Sequence, residues 1–258
     1  MINKRIIFSL LYSNGYFFLS RNFRLQKIGD LNWLIKNYNF NKTCQYIDEL
    51  AFILVTKKPS KQEVEKFFDN INKLRSKIFA PIMIGGHLRN MIDVKNCFEN
   101  GADKVLINTK SQDENFINEI SEIYGNQAIT IMVDYKINEE DKDEVYINCG
   151  TENTKLSINK LLKKINKFNF GEIILHSINK DGAGNGCDIK ILEKIINRPN
   201  KPILLMGGFG KPEHIIEALK HENINGIVTA NLLNFIGNGL KLTRENAFQK
   251  KINIAKLD

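Results

Sequence analysis

Two glycine-bearing segments in this chain have residue types that let a backbone approach an anion. Lys201-Pro-Ile-Leu-Leu-Met-Gly207-Gly208-Phe-Gly210-Lys211 runs from proline through a short apolar stretch into glycines. Pro81-Ile-Met-Ile-Gly85-Gly86-His87 does the same roughly 121 residues earlier. Proline has no N–H for a central ladder and so fits the first residue of a strand. Glycine at the far end lets the backbone turn sharply and approach a ligand. Asp181-Gly182 and Ala230-Asn231 end two other apolar runs, and Asn231 is placed to begin a short helix whose free N–H groups favour an anion. The plain alternative is turn chemistry, since tight turns need glycine anyway. Asn108-Thr109, with Ser111 close by, ends a further run. His87 stands where its counterpart offers Gly208, and at positive φ a side chain there is strained by roughly 1 kcal/mol. His87, His176 and Asp134 share no ligand spacing on one element, so no metal is expected. Gly207-x-x-Gly210 is not a dinucleotide fingerprint, and no cofactor is expected.

The elements that must position these residues repeat. Arg5–Leu11 aligns with Ala128–Asp134, Asp48–Leu54 with Gly171–His176, and Asp103–Thr109 with Asn225–Asn231, all at nearly the spacing of the glycine pair. Apolar runs at 5–11, 48–55, 81–85, 103–107, 128–134, 171–176, 202–206 and 225–230 alternate with segments apolar at helical spacing. Near-continuous apolar strands suit a parallel sheet buried on both faces. Eight such strands in two similar halves predict a (β/α)8 barrel, one domain over 1–258 with half-barrels of about 1–124 and 125–258. A doubly wound open sheet is the alternative, and it leaves the two-fold repeat unexplained. Asn14-Gly15 predicts a hairpin followed by a flexible loop within 12–30, and Val145-Tyr-Ile a second hairpin within 135–155. Both connections follow strands and so lie on the face where barrel active sites sit.

Composition narrows the classes. The 258 residues are 43% hydrophobic, enough for a sizeable core. No run approaches the ~18 apolar residues of a membrane span, and the first residues lack a cleavage pattern, so a cytosolic chain off the membrane is expected. Cys44, Cys97, Cys149 and Cys187 are scattered, which favours reduced thiols over disulfides or zinc. The net charge of +8 comes from lysines spread through an Ile- and Asn-rich chain, without the dense basic block of a nucleic-acid binder.

Over essentially its full length the chain resembles the cyclase subunit of imidazole glycerol phosphate synthase. The resemblance is carried by Lys4-Arg5-Ile-Ile, Gly101-Ala-Asp-Lys104-Val-Leu-Ile-Asn-Thr109, Ser177-Ile-Asn-Lys-Asp181-Gly182 and Gly207-Gly208-Phe-Gly210-Lys211. It implies a barrel that takes ammonia from a glutaminase subunit, as a heterodimer, and a substrate with two phosphates. One phosphate is then held by Asp181, Gly182, Gly207, Gly208, Ala230 and Asn231, and the other by Asn108 and Thr109, crowded by His87. Arg5, Glu49, Lys104 and Glu172 match a charged ring that guards the ammonia entrance; a structural salt-bridge cluster is the alternative. Asp103 matches a residue that meets the glutaminase. Of two catalytic aspartates, Asp134 matches one, while Leu11 stands at the other. General acid–base assistance is typically worth ~10²–10⁴-fold, and leucine supplies none. Leu19 occupies the place of a loop lysine, and His176 that of a hydroxyl residue lining the mouth.

A branch associated with amidation of surface-polysaccharide sugars has a Leu-Leu signature near its start, and Leu10-Leu11-Tyr-Ser-Asn14-Gly15 with Ile28-Gly29-Asp30 is similar to it. Val55-Thr-Lys57-Lys58 departs from the acidic end usual for the second strand. The expectation is a barrel receiving glutaminase-derived ammonia for sugar amidation, with a separate sugar amidotransferase or ligase as a further partner. The alternatives are a cyclase of histidine biosynthesis and a non-catalytic activator of the glutaminase.

Overall fold

A computed structural model describes residues 3–38, 40–230 and 238–255. The chain enters through β1 (Arg5–Ser13), turns at Asn14-Gly15 into β2 (Tyr16–Arg21), and returns as β3 (Arg24–Gly29). Helices α1 (Leu31–Tyr38) and α2 (Phe40–Thr43) lead to β4 (Glu49–Leu54), α3 (Lys61–Arg75), β5 (Ile82–Gly85), α4 (Met91–Glu99), β6 (Lys104–Ile107) and α5 (Glu114–Tyr124). The long strand β7 (Ile129–Ile137) pairs back through β8 (Asp143–Ile147) and β9 (Glu152–Asn153). Then come α6 (Ile158–Ile165), β10 (Glu172–Ser177), α7 (Ile191–Lys194), β11 (Ile203–Met206), α8 (Pro212–Lys220), β12 (Gly226–Thr229) and α9 (Gly239–Gln249).

Eight of these strands close on themselves. β1, β4, β5, β6, β7, β10, β11 and β12 pair in parallel in that order, and β12 returns to β1, giving a (β/α)8 barrel. All eight expected runs are strands, because residues buried on both faces leave little room for another backbone. Alternation sends Ile6, Phe8 and Leu10 outward under the helices and Ile7 and Leu11 into the lumen. The lumen also holds Ala51, Met83, Leu106, Met132, Ile174, Leu204 and Val228. Among the helix starts capped by side chains, Ser60 accepts Glu63 N–H, and Asn90 with Asp93 forms a full capping box.

The Asn14-Gly15 turn is where the spacing puts it, with φ of 48° and 83°. The flexible loop expected after it is instead a second hairpin, because β3 pairs antiparallel with β2 through a turn at Asn22 and Phe23. β3 is mostly exposed, so it has no apolar period to announce it. The second expected hairpin is present, with β8 pairing antiparallel to the end of β7.

Candidate functional site

At the barrel end where the strands begin, four charges form a closed ring. The Arg5 guanidinium donates to Glu49 Oε1 with one nitrogen and to Glu172 Oε2 with the other. Lys104 Nζ lies 3.0 Å from Glu49 Oε1 and 3.0 Å from Glu172 Oε1, and Thr130 Oγ1 donates to Glu172 at 2.8 Å. Cations and carboxylates thus alternate, each touching both neighbours. Burial works against the charge on Arg5, but Glu172 and Glu49 outweigh it and hold the guanidinium above its usual range. Burial likewise opposes ionisation of Glu172, and Arg5 and Lys104 bring its carboxyl below the usual range. The ring brings together all four gate residues expected from the sequence. Above it Ser9 Oγ is buried without a partner, on the strand face that alternation turns into the lumen.

Asp103 stands on the same rim and has a local task. Its Oδ2 accepts Ile82 N–H at 2.7 Å, as Asp48 accepts Ile6 N–H at 2.7 Å and Asn225 accepts Ile203 N–H at 3.0 Å. A polar side chain before each of three strands stitches it to its neighbour. Asp103 is nonetheless exposed.

The opposite end opens into a cavity of about 650 Å³, lined by Leu11, His87, Asn108, Thr109, Asp134 and His176 among others. Leu11 is 8% exposed and packs in the apolar lumen with Ile53 and Met206. Asp134 and His176 are direct partners in the β7–β10 register. His176 Nδ1 lies 3.1 Å from Asp134 Oδ1, and its Nε2 lies 3.8 Å from Asp181 Oδ1, too far for a hydrogen bond. Asn108 Nδ2 donates to the other Asp134 oxygen at 3.2 Å. Burial pushes the His176 imidazole down, but the two carboxylates outweigh it and raise it to about 9. Burial alone would raise Asp181; His176, Ser20 and Phe23 bring it below the usual carboxylate range.

Asp181 also holds the first hairpin. Its Oδ2 accepts Ser20 Oγ at 2.5 Å and Phe23 N–H at 2.9 Å, while its carbonyl accepts Asn22 N–H at 3.0 Å. The Phe23 ring lies 4.8 Å from the His176 ring. A Cβ on Gly182 would run into the Ser20 carbonyl, which is why the loop after β10 needs glycine there. Ser20 and Phe23 are therefore site residues that sequence reasoning missed. They act through a hydroxyl and a backbone N–H, which leave no distinctive residue pattern.

The two anion sites expected from the repeat differ. Gly207 and Gly208 have φ of 100° and 93°, and a Cβ on Gly208 would meet the Gly186 carbonyl. With Gly182 and Ala230 they line the cavity, while Asn231 lies outside the described residues. On the other side Gly86 and His87 have φ of 94° and 59°, so His87 does take the left-handed backbone. Its Nδ1 is buried without a partner. Thr109 Oγ1 accepts Asn148 N–H at 3.3 Å, and Arg89 Nη2 donates to Asn148 Oδ1 at 2.9 Å. The turn after β8 thus packs beside Thr109. Arg89, Asn148 and Cys149 were not legible as site residues, because they lie in connections with no strand period.

Comparison with known proteins fits this geometry. The family described as "Histidine biosynthesis protein" matches residues 29–237. A protein of Parasynechococcus marenigrum that provisionally carries the name imidazole glycerol phosphate synthase subunit hisF2 is 42% identical over 96% of this chain and 91% of its own length. Imidazole glycerol phosphate synthase subunits HisF of Methanocaldococcus jannaschii and Bacillus cereus are each 31% identical, over 91% of this chain and 92% of their own length. Two ends with separate charged clusters, joined by an apolar lumen, are carried on a sequence similar to these subunits throughout. The chain belongs to the histidine biosynthesis protein family, among the homologues of the imidazole glycerol phosphate synthase subunit HisF.

Proposed function

We propose that this barrel receives ammonia from a glutaminase partner docked on the charged-ring rim and serves a glutamine-dependent amidation pathway for surface-polysaccharide sugars. One observation carries the reading: the ring of Arg5, Glu49, Lys104 and Glu172 is complete, whereas the mouth has Leu11 packed among apolar side chains and Asp134 with both oxygens engaged. In this reading the ring is a supply end that is kept, while a second carboxylate for ring closure is missing at Leu11. The phosphorylated ligand of the mouth would meet Gly182, Gly207, Gly208 and Ala230. Among the described residues no helix is long and apolar enough to cross a membrane.

A second reading, cyclase activity in histidine biosynthesis, is favoured by the cluster of Asp134, His176 and Asp181. A charged imidazole beside Asp134 is a proton donor, and it would act from β10 where Leu11 cannot act from β1. The experiment is turnover of the cyclase substrate of the relatives by the purified chain with an ammonium salt. No turnover is the expected result. Substantial turnover that His176→Gln abolishes would establish the second reading and remove the first. Within the first reading, Lys104→Ala impairs the use of glutamine-derived nitrogen and spares free ammonium; equal losses with both sources count against a conduit.

A further inference from the structure

The mouth carries a group of cations that neither reading uses. Lys57 and Lys58 follow β4, Arg89 precedes α4, and all three line the cavity beside Cys149. Cys149 is tied to the β4 end, its Sγ donating to the Val55 carbonyl at 3.4 Å. Asn148 ties the same turn to Arg89. Lys57 and Arg89 are close enough to act on the Cys149 thiol, and Lys58 lines the same cavity from the connection that holds Lys57.

Their neighbours do not neutralise them. Among the described residues, no carboxylate oxygen lies within ion-pair distance of Lys57, Lys58 or Arg89. The acids on the surrounding elements are committed elsewhere. Glu63 accepts from Thr56 Oγ1 and Asn14 N–H, and Asp93 from the backbones of Arg89 and Asn90. Glu152 accepts from Asn148 Nδ2, and Asp134 is held by His176 and Asn108. Burial, with Asp134, keeps the Cys149 thiol above its usual range despite Lys57 and Arg89, so the thiol supplies no counter-charge. Like charges kept together without a partner repel one another, and a bound anion relieves that cost.

We propose that Lys57, Lys58 and Arg89 form a diphosphate-binding subsite on the His87 side of the mouth. The choice of diphosphate follows from charge and shape. Three cations exceed what a single phosphate needs, and a planar guanidinium beside two flexible ammonium groups spans adjacent phosphoryl groups. The subsite lies at the ends of β4 and β5, away from Gly182, Gly207 and Gly208, which leaves the apolar middle of the cavity for the rest of the ligand. Nucleic acid fits the site poorly, because the cations gather at one concave mouth floored by Leu11 and Ile53 rather than along an extended stripe.

The test is titration calorimetry of the full chain with inorganic pyrophosphate and, separately, with inorganic phosphate. Pyrophosphate is expected to bind at least about tenfold more tightly than phosphate, and to weaken as salt rises. Lys57→Gln/Lys58→Gln and Arg89→Gln each weaken pyrophosphate about tenfold. Lys61→Gln, an exposed cation on α3 outside the cavity lining, leaves it unchanged. Unfolding curves of each variant show whether the fold is kept. Equal affinity for the two anions, or pyrophosphate binding untouched in both cavity variants, overturns the proposal. Neither measurement uses a glutaminase or ammonium, so the outcome is separate from that of nitrogen transfer.

Discussion

The two ends of the barrel both bury ionised groups, and they balance them differently. At the strand starts, two cations and two carboxylates alternate, and every partner comes from a barrel strand. At the mouth, one imidazole stands between two aspartates, with Nε2 lacking a hydrogen-bond partner. The balance there is completed by neutral donors, Asn108 below and Ser20 with the Phe23 backbone above. Buried charge costs several kcal/mol per ion unless it is matched in geometry and hydrogen bonding. The ring is matched from within the barrel. The mouth is matched only while a hairpin lies on it.

The largest expected effect is therefore at the ring. Glu172→Ala leaves Arg5 and Lys104 facing each other with one carboxylate between them and should cost about 3–5 kcal/mol of stability, read by urea unfolding. A loss below about 1 kcal/mol would mean that the ring behaves like an exposed surface pair.

The mouth should add an alkaline pH dependence, while the acid side is shared with the ring, where Glu172 is also lowered. His176 is raised from 6.5 to about 9, so its contribution is fully present below the unfolded value and is lost as pH rises through 9. That shift corresponds to roughly 3 kcal/mol. Asp181 is lowered, so its contribution runs the other way, present above the ordinary carboxylate range and lost as acid protonates it. Unfolding midpoints on the two sides of this window test the claim, and His176→Asn should flatten the alkaline limb. An alkaline limb unchanged in that variant would assign the loss to another group.

Much of this contrast was legible before any coordinates. The barrel strands announce themselves because residues such as Ile173, Ile174 and Leu175 are buried on both faces in turn. The ring residues could be named from the resemblance, while their alternating pairing depends on register. The contact of Asp134 with His176 had a usable signal: both end strands that lie side by side, and the register sets them opposite each other. The role of Asp181 as anchor of Ser20 and Phe23 had none, since β3 exposes nearly every side chain and its place depends on backbone pairing. Arg89 with Asn148 was equally hidden, because Asn148 and Cys149 meet the cavity through left-handed turns, with φ of 52° and 55°.

Asp181→Asn probes the hairpin's share of the balance. It keeps the shape but removes a charged acceptor from Ser20 Oγ and Phe23 N–H, so a loss of about 1–3 kcal/mol is expected, concentrated on the hairpin. Trypsin should cut faster at the exposed Arg21 and Arg24, while exchange of amides in β1 and β4 near the ring stays slow. Uniform acceleration across the barrel would mean that Asp181 supports the whole fold rather than the hairpin.

The smallest effect separates the two sides of the mouth. Gly86-His87 and Gly207-Gly208 are repeat counterparts with left-handed backbones, yet only the first pair carries a side chain. At Gly208 a Cβ meets the Gly186 carbonyl, so packing imposes glycine there whether or not an anion binds. At His87 the φ of 59° is one that histidine tolerates better than most residues, at a strain of roughly 1 kcal/mol. The imidazole recovers little of that, since its Nδ1 is buried without a partner. His87→Gly should therefore stabilise the chain by up to about 1 kcal/mol, less the extra freedom glycine gives the unfolded state. His87→Ala, which keeps a Cβ at the same φ, should not. If both variants destabilise alike, the side chain itself is holding the wall of the cavity, and strain is not what distinguishes this half from the other.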